Sequence, residues 1–121
     1  MNDIAILELE EDVPQSVAIP ICLPRADTRL AKNLKVAGSG AVAPFDFAPS
    51  QGYQVVNVRL VATPKNKTII TTAPKNVGVC NGDSGGALFQ TDRYGRSTIV
   101  GVTSTGNTCS ESKYSYVSKQ L

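Results

Sequence analysis

The sequence predicts an all-β fold, a small β-barrel, on three observations. About six short apolar or alternating runs are separated by frequent turn-forming residues. No segment keeps the three-to-four-residue apolar spacing of an amphipathic helix for long enough to form one. The composition, 41% hydrophobic and 18% charged, is that of a chain with a packed core. A length of 121 residues gives room for one ordinary domain.

The elements follow in chain order. Ile4-Ala5-Ile6-Leu7 is apolar at consecutive positions, so as a strand it requires cover on both faces and reads as the last strand of a unit begun earlier. Left bare, such a strand invites association. Residues 10–24 contain Pro14, Pro20 and Pro24 and read as an extended connector crossing a surface. Strands are predicted at residues 34–37, ending at Gly38-Ser39-Gly40, and at 53–62, the longest, after a loop over 41–52. A short strand is predicted at 69–72, behind a turn at Thr63-Pro64-Lys65-Asn66. Residues 87–90 and 98–103 read as two strands joined by a hairpin turn at 91–95, and residues 114–117 as the last. Asn66-Lys67-Thr68 is a glycosylation sequon, meaningful only in a secreted protein.

Charge and cysteine content narrow the function classes. Twelve basic and ten acidic residues, net +2, are scattered along the chain. No basic block argues for nucleic acid, and no basic amphipathic stretch or spanning apolar run argues for a membrane. The residues after Met1 show no secretion signal. Cys22, Cys80 and Cys109 fit no zinc spacing, and the absence of histidine excludes a mixed Cys/His site, so no metal or organic cofactor is indicated. In an oxidised protein three cysteines imply one pair and one thiol whose partner lies elsewhere. The missing histidine also removes the commonest general base at neutral pH.

The chain is organised around Cys80-Asn81-Gly82-Asp83-Ser84-Gly85-Gly86-Ala87-Leu88. Glycines flank a serine that follows a carboxylate and precedes an apolar run. Their backbone freedom can hold the hydroxyl out of a turn while neighbouring N–H groups converge, the arrangement an acyl-transfer site needs for a developing oxyanion. The same residues also suit a glycine-rich hairpin turn with an incidental serine.

Four stretches, in order, resemble the chymotrypsin/trypsin-like serine endopeptidases. They are Asn2-Asp3-Ile4-Ala5-Ile6-Leu7, Pro20-Ile21-Cys22-Leu23-Pro24, Gly82-Asp83-Ser84-Gly85-Gly86 and Val100-Gly101-Val102-Thr103-Ser104-Thr105-Gly106. The resemblance implies the second six-stranded antiparallel barrel of a double-barrel fold, at residues 25–121 and without the family's terminal helix. Residues 1–24 become the last strand of the first barrel and the connector between barrels. Ser84 becomes the nucleophile, Gly82 and Ser84 supply the oxyanion-hole amides, and Asp3 orients the base. Asp83 becomes the carboxylate that pairs with a new N-terminus on activation. Gly78 lies at the base of the primary substrate pocket, Ser104 meets the substrate backbone and Gly106 leaves one wall open. A neutral Gly78 disfavours cleavage after arginine or lysine. Cys80 and Cys109 form a disulfide, and Cys22 pairs with an upstream cysteine.

The chain departs from the family pattern at several points. Leu34 and Gln90 stand where a further disulfide is common, and Thr105 stands where an aromatic residue is usual. The family's catalytic histidine lies before Asp3, in the missing N-terminal barrel, so this polypeptide alone is expected to be a very poor protease. The leading expectation is part of a secreted endopeptidase acting on protein or peptide substrates, with no nucleic acid and no membrane as partner. The alternatives are a non-catalytic, protease-like binding module and an intracellular β-barrel with a chance motif.

Overall fold

The computed structural model describes residues 3–41, 52–62, 69–73, 79–80, 82–107 and 111–117. The period of two that builds a half-buried strand is visible in β1, Asn33–Gly38, where Leu34 and Val36 turn inward while Asn33 and Lys35 face out. β2 (Gln54–Ala62) and β3 (Ile69–Ala73) follow, then β4 (Ala87–Thr91), β5 (Ser97–Asn107) and β6 (Glu111–Tyr116). All pairings are antiparallel, and the staves run β1-β2-β3-β6-β5-β4 before β4 closes back on β1. This is the all-β, trypsin-like barrel that the sequence predicts. Closure matters because it leaves these strands no free edge for another chain to pair with.

The core lies inside the barrel. Leu34, Val36, Val58, Val79, Leu88, Val100 and Tyr114 form one buried cluster, with Leu30, Val56 and Leu60 packed against it. Leu88, Val100 and Tyr114 are fully buried, and burying side chains of this kind stabilises by about 1.5–3 kcal/mol each. β4 and β5, which carry Leu88 and Val100, therefore form a packed wall directly after the loop that enters β4.

Two strands run further than their hydrophobicity predicts. The end of β5 and the start of β6 are small and polar, yet Thr105↔Lys113, Gly106↔Ser112 and Asn107↔Glu111 pair in register. Each segment's backbone groups find partners in the other, a requirement that apolar periodicity does not report. The predicted turn between β4 and β5 forms at residues 92–96, where the amides of Asp92 and Gly95 donate to Arg96 O and Asp92 O. The predicted loop over 41–52 and the turn at residues 63–66 lie almost wholly outside the described residues, as does the sequon.

The connector is hydrogen-bonded to the barrel at Cys22. Cys22 forms a parallel bridge with Thr98, its amide donating 3.1 Å to Ser97 O and its carbonyl accepting 3.0 Å from the Ile99 amide. β6 reaches only as far as Gly101 on β5, so the chain around Cys22 occupies the place beside β5 that β6 leaves open.

The strand predicted at residues 4–7 does not form. Residues 3–9 belong to no strand, and Ile6, Leu7 and Leu9 are 83%, 85% and 65% exposed. An extended segment becomes a strand only where a neighbour completes its ladder, and among the described residues none lies alongside.

Candidate active site

The loop around Ser84 is built by backbone geometry. Gly82 adopts φ +92°, a region costly for a residue with a side chain. The Asp83 amide donates 3.1 Å to Cys80 O and the Gly86 amide donates 3.0 Å to Asp83 O, so the backbone turns on either side of Asp83. Gly86 passes so close to β1 that a Cβ there would lie 2.5 Å from Ala37 O and 2.9 Å from Asp83 O. The loop is then tied to β5: the Gly85 amide donates to Thr103 O and the Thr103 amide to Gly86 O, each at 2.9 Å.

This bonding exposes Ser84 at the start of the wall formed by β4 and β5. Among the described residues, the amides of Gly82 and Ser84 make no hydrogen bond. Two N–H groups without a partner among the described residues, beside an exposed serine, are the groups that an oxyanion site requires. They open on a cleft of about 400 Å³ whose walls include Gly38, Ser39, Tyr53, Ser84 and Gly85. Tyr53 and Ser39 were not singled out by the sequence. Tyr53 arrives because Gly38 pairs with Gln54, which carries the start of β2 to the cleft.

Asp83 is half-buried, and its carboxylate is held twice. Its Oδ1 accepts 2.7 Å from the Gly40 amide, and its Oδ2 accepts 2.8 Å from the Cys80 amide. One carboxylate thus joins the segment after β1 to the segment before Ser84, and its oxygens are engaged by backbone donors.

Asp3 and Ser104 meet across 101 residues of sequence, the Ser104 hydroxyl donating 2.7 Å to Asp3 Oδ2. Ser104 lies where the β5–β6 register shifts, between Thr103 and Thr105, and a bulge of this kind re-aims a side chain out of the ladder. The sequence assigned Ser104 to the substrate backbone. Its contact with Asp3 went unpredicted, because no spacing rule connects residues so far apart. Asp3 makes no hydrogen bond to Ser84 among the described residues, so the structure brings Asp3 to Ser104 without closing a relay to the nucleophile.

Gly106 lies in β5 opposite Ser112, while Gly78 and Cys109 lie outside the described residues. Cys80 is disulfide-bonded, and Cys22 is a free, exposed thiol. No group of three potential metal-ligating side chains occurs among the described residues.

The sequence model of the Trypsin family matches residues 1–120. Serine proteinase stubble of Drosophila melanogaster is 29% identical over 127 residues, covering 90% of this chain and 16% of that protein. Venom serine protease Bi-VSP of Bombus ignitus is 32% identical over 133 residues, covering 93% of this chain and 37% of that protein. Phenoloxidase-activating factor 3 of Holotrichia diomphalia is 32% identical over 126 residues, with 89% and 35% covered. The chain thus spans well under half the length of these curated relatives.

Proposed function

The chain belongs to the trypsin family of serine proteases, and from that premise we propose that it carries the nucleophile and oxyanion half of an endopeptidase whose general base lies outside these 121 residues. The observation that supports this reading is the exposed Ser84 beside the amides of Gly82 and Ser84, which have no partner among the described residues. Ser84 Oγ attacks the scissile carbonyl carbon and its proton passes to the base, which in this family is an imidazole. The carbonyl oxygen becomes an oxyanion held by the two amides. Collapse expels the amine, which takes the proton, and leaves an acyl ester on Ser84. Water then repeats the sequence and releases the acid.

Asp3 accepts a hydrogen bond from the imidazole N–H, fixing its tautomer, and the Ser104 hydroxyl supports Asp3 from the other side. Gly78 and Gly106 shape a neutral primary pocket for small or apolar side chains. The loop is further held by a Cys80–Cys109 disulfide. Cys22 pairs with a cysteine of the N-terminal barrel, which in turn covers residues 4–9. A protein with these disulfides is secreted.

The test is fluorophosphonate labelling of the protein isolated from its natural source, read by mass spectrometry. A phosphonyl adduct on the Ser84 peptide, absent from a Ser84→Ala variant, is the expected result. An unlabelled Ser84, in a sample where another serine protease labels fully, rejects the enzyme and leaves the protease-like binding module.

A further inference from the structure

Cations that are scattered in sequence converge at the hairpin end of the barrel. After its bridge at Cys22 the chain crosses the β4–β5 hairpin. It is caught on the far side by Gln90, whose amide group donates 2.9 Å to Arg29 O and accepts 2.9 Å from the Ala31 amide. This crossover carries Arg25, Arg29 and Lys32, all exposed. The hairpin tip adds Arg93 and Arg96. Register supplies two more: Lys35 stands outward beside Phe89, and Arg59 pairs with Asn33. Against these seven cations stand two carboxylates, Asp27 and Asp92, so this end carries a net +5 while the whole chain carries +2. Both carboxylates form exposed ion pairs, Arg25–Asp27 at 3.6 Å and Arg96–Asp92 at 3.1 Å, and exposed pairs of this kind leave the field of the remaining cations largely uncancelled.

We infer that this hairpin end is a binding surface for a linear sulfated polysaccharide. Five of its seven cations are arginines, whose planar forks suit oxyanions, and they are spread over several strands and the crossover. A partner carrying oxyanions at repeated intervals matches that layout. Nucleic acid matches it less well. Tyr94, the exposed aromatic side chain here, has the guanidinium carbons of Arg93 and Arg96 at 4.9 Å and 5.9 Å from its ring centre, so its face is already occupied and offers no stacking platform. A peptide finds no free edge on the closed barrel to extend as a strand. β4 runs from the nucleophile loop to the hairpin, so its five residues separate the two sites by roughly 15 Å at ~3.3 Å per residue. Occupation of this end leaves the Ser84 cleft open, and the inference stands independently of the proteolytic reading.

The test measures the affinity of the 121-residue chain for a size-defined heparin oligosaccharide across a salt series. Two double variants, Arg29→Ser with Arg93→Ser and Lys35→Ser with Arg59→Ser, each remove two exposed cations and are checked for unchanged thermal unfolding. Each should weaken binding about tenfold at roughly 0.15 M salt and lower the log–log salt slope by about 2. The control Lys113→Glu, at a position that pairs with Thr105 toward the other end of β5, changes the charge by the same two units and should change affinity less than about threefold. Equal losses in all three overturn the surface in favour of net charge alone. Absence of heparin binding also overturns it, as does tighter binding of a single-stranded oligonucleotide or of polyglutamate at matched charge.

Discussion

Asp83 and Asp92 show how much local order a single carboxylate can impose. Asp83 accepts the Gly40 and Cys80 amides, joining two segments that are otherwise unrelated in sequence. Asp83→Asn presents an NH2 group to one of those N–H donors, so one bond is lost and a donor is left facing a donor. The expected destabilisation is about 1–3 kcal/mol in urea unfolding, and an unchanged midpoint contradicts the role. Asp92 accepts the Tyr94 and Arg96 amides and the Arg96 side chain. The Arg96 amide is the main cause holding its carboxyl below the ordinary carboxylate pKa. Because the folded value is depressed, the contribution of these bonds is complete above the ordinary carboxylate range and is lost as pH falls through the folded value. An NMR titration of the Asp92 carboxyl should show this low midpoint, and Arg96→Ala should raise it. Ser84, Gly82 and Asp83 were legible because they are adjacent in sequence and their chemistry is local. The Ser104–Asp3 contact was not, since it depends on a bulge in β5 and a segment 101 residues away.

At the scale of elements, packing sets how tightly the loop is held. Gly86 touches the carbonyl of Ala37 in β1 and that of Asp83 in its own loop. Gly86→Ala must therefore push the nucleophile loop off β1, at a cost of about 1–3 kcal/mol. Chemical shift changes spreading from Ala37 to Ser84, with a lowered thermal midpoint, are the expected readout; a variant of unchanged midpoint contradicts the close approach. Strands with a buried face, such as β1 with Leu34 and Val36, were legible from their alternation. The polar ends of β5 and β6 were not, because their order comes from mutual pairing rather than from burial. Residues 4–7 fail in the opposite sense: their composition is that of a strand, but among the described residues no ladder partner stands beside them. Hydrophobicity marks what needs cover, and only topology supplies it.

Over the whole molecule, the barrel separates two surfaces. One end gathers Ser84, the amides of Gly82 and Ser84 and the Asp3–Ser104 pair; the other gathers cations from three distant stretches of chain. The first was legible because the glycine–serine run states its own geometry. The second was invisible in a sequence whose charges look scattered, and it emerges only when the crossover from Cys22 to Ala31 wraps the hairpin. The central claim is that the acyl-transfer end is complete except for a base. It is tested most directly by following fluorophosphonate labelling of Ser84 in the 121-residue chain as free imidazole is added. We predict background labelling without imidazole, then a rise with imidazole concentration that is confined to Ser84 among the serines. Full-rate labelling with no added base, or a Ser84 that stays no more reactive than the other serines at saturating imidazole, would contradict it.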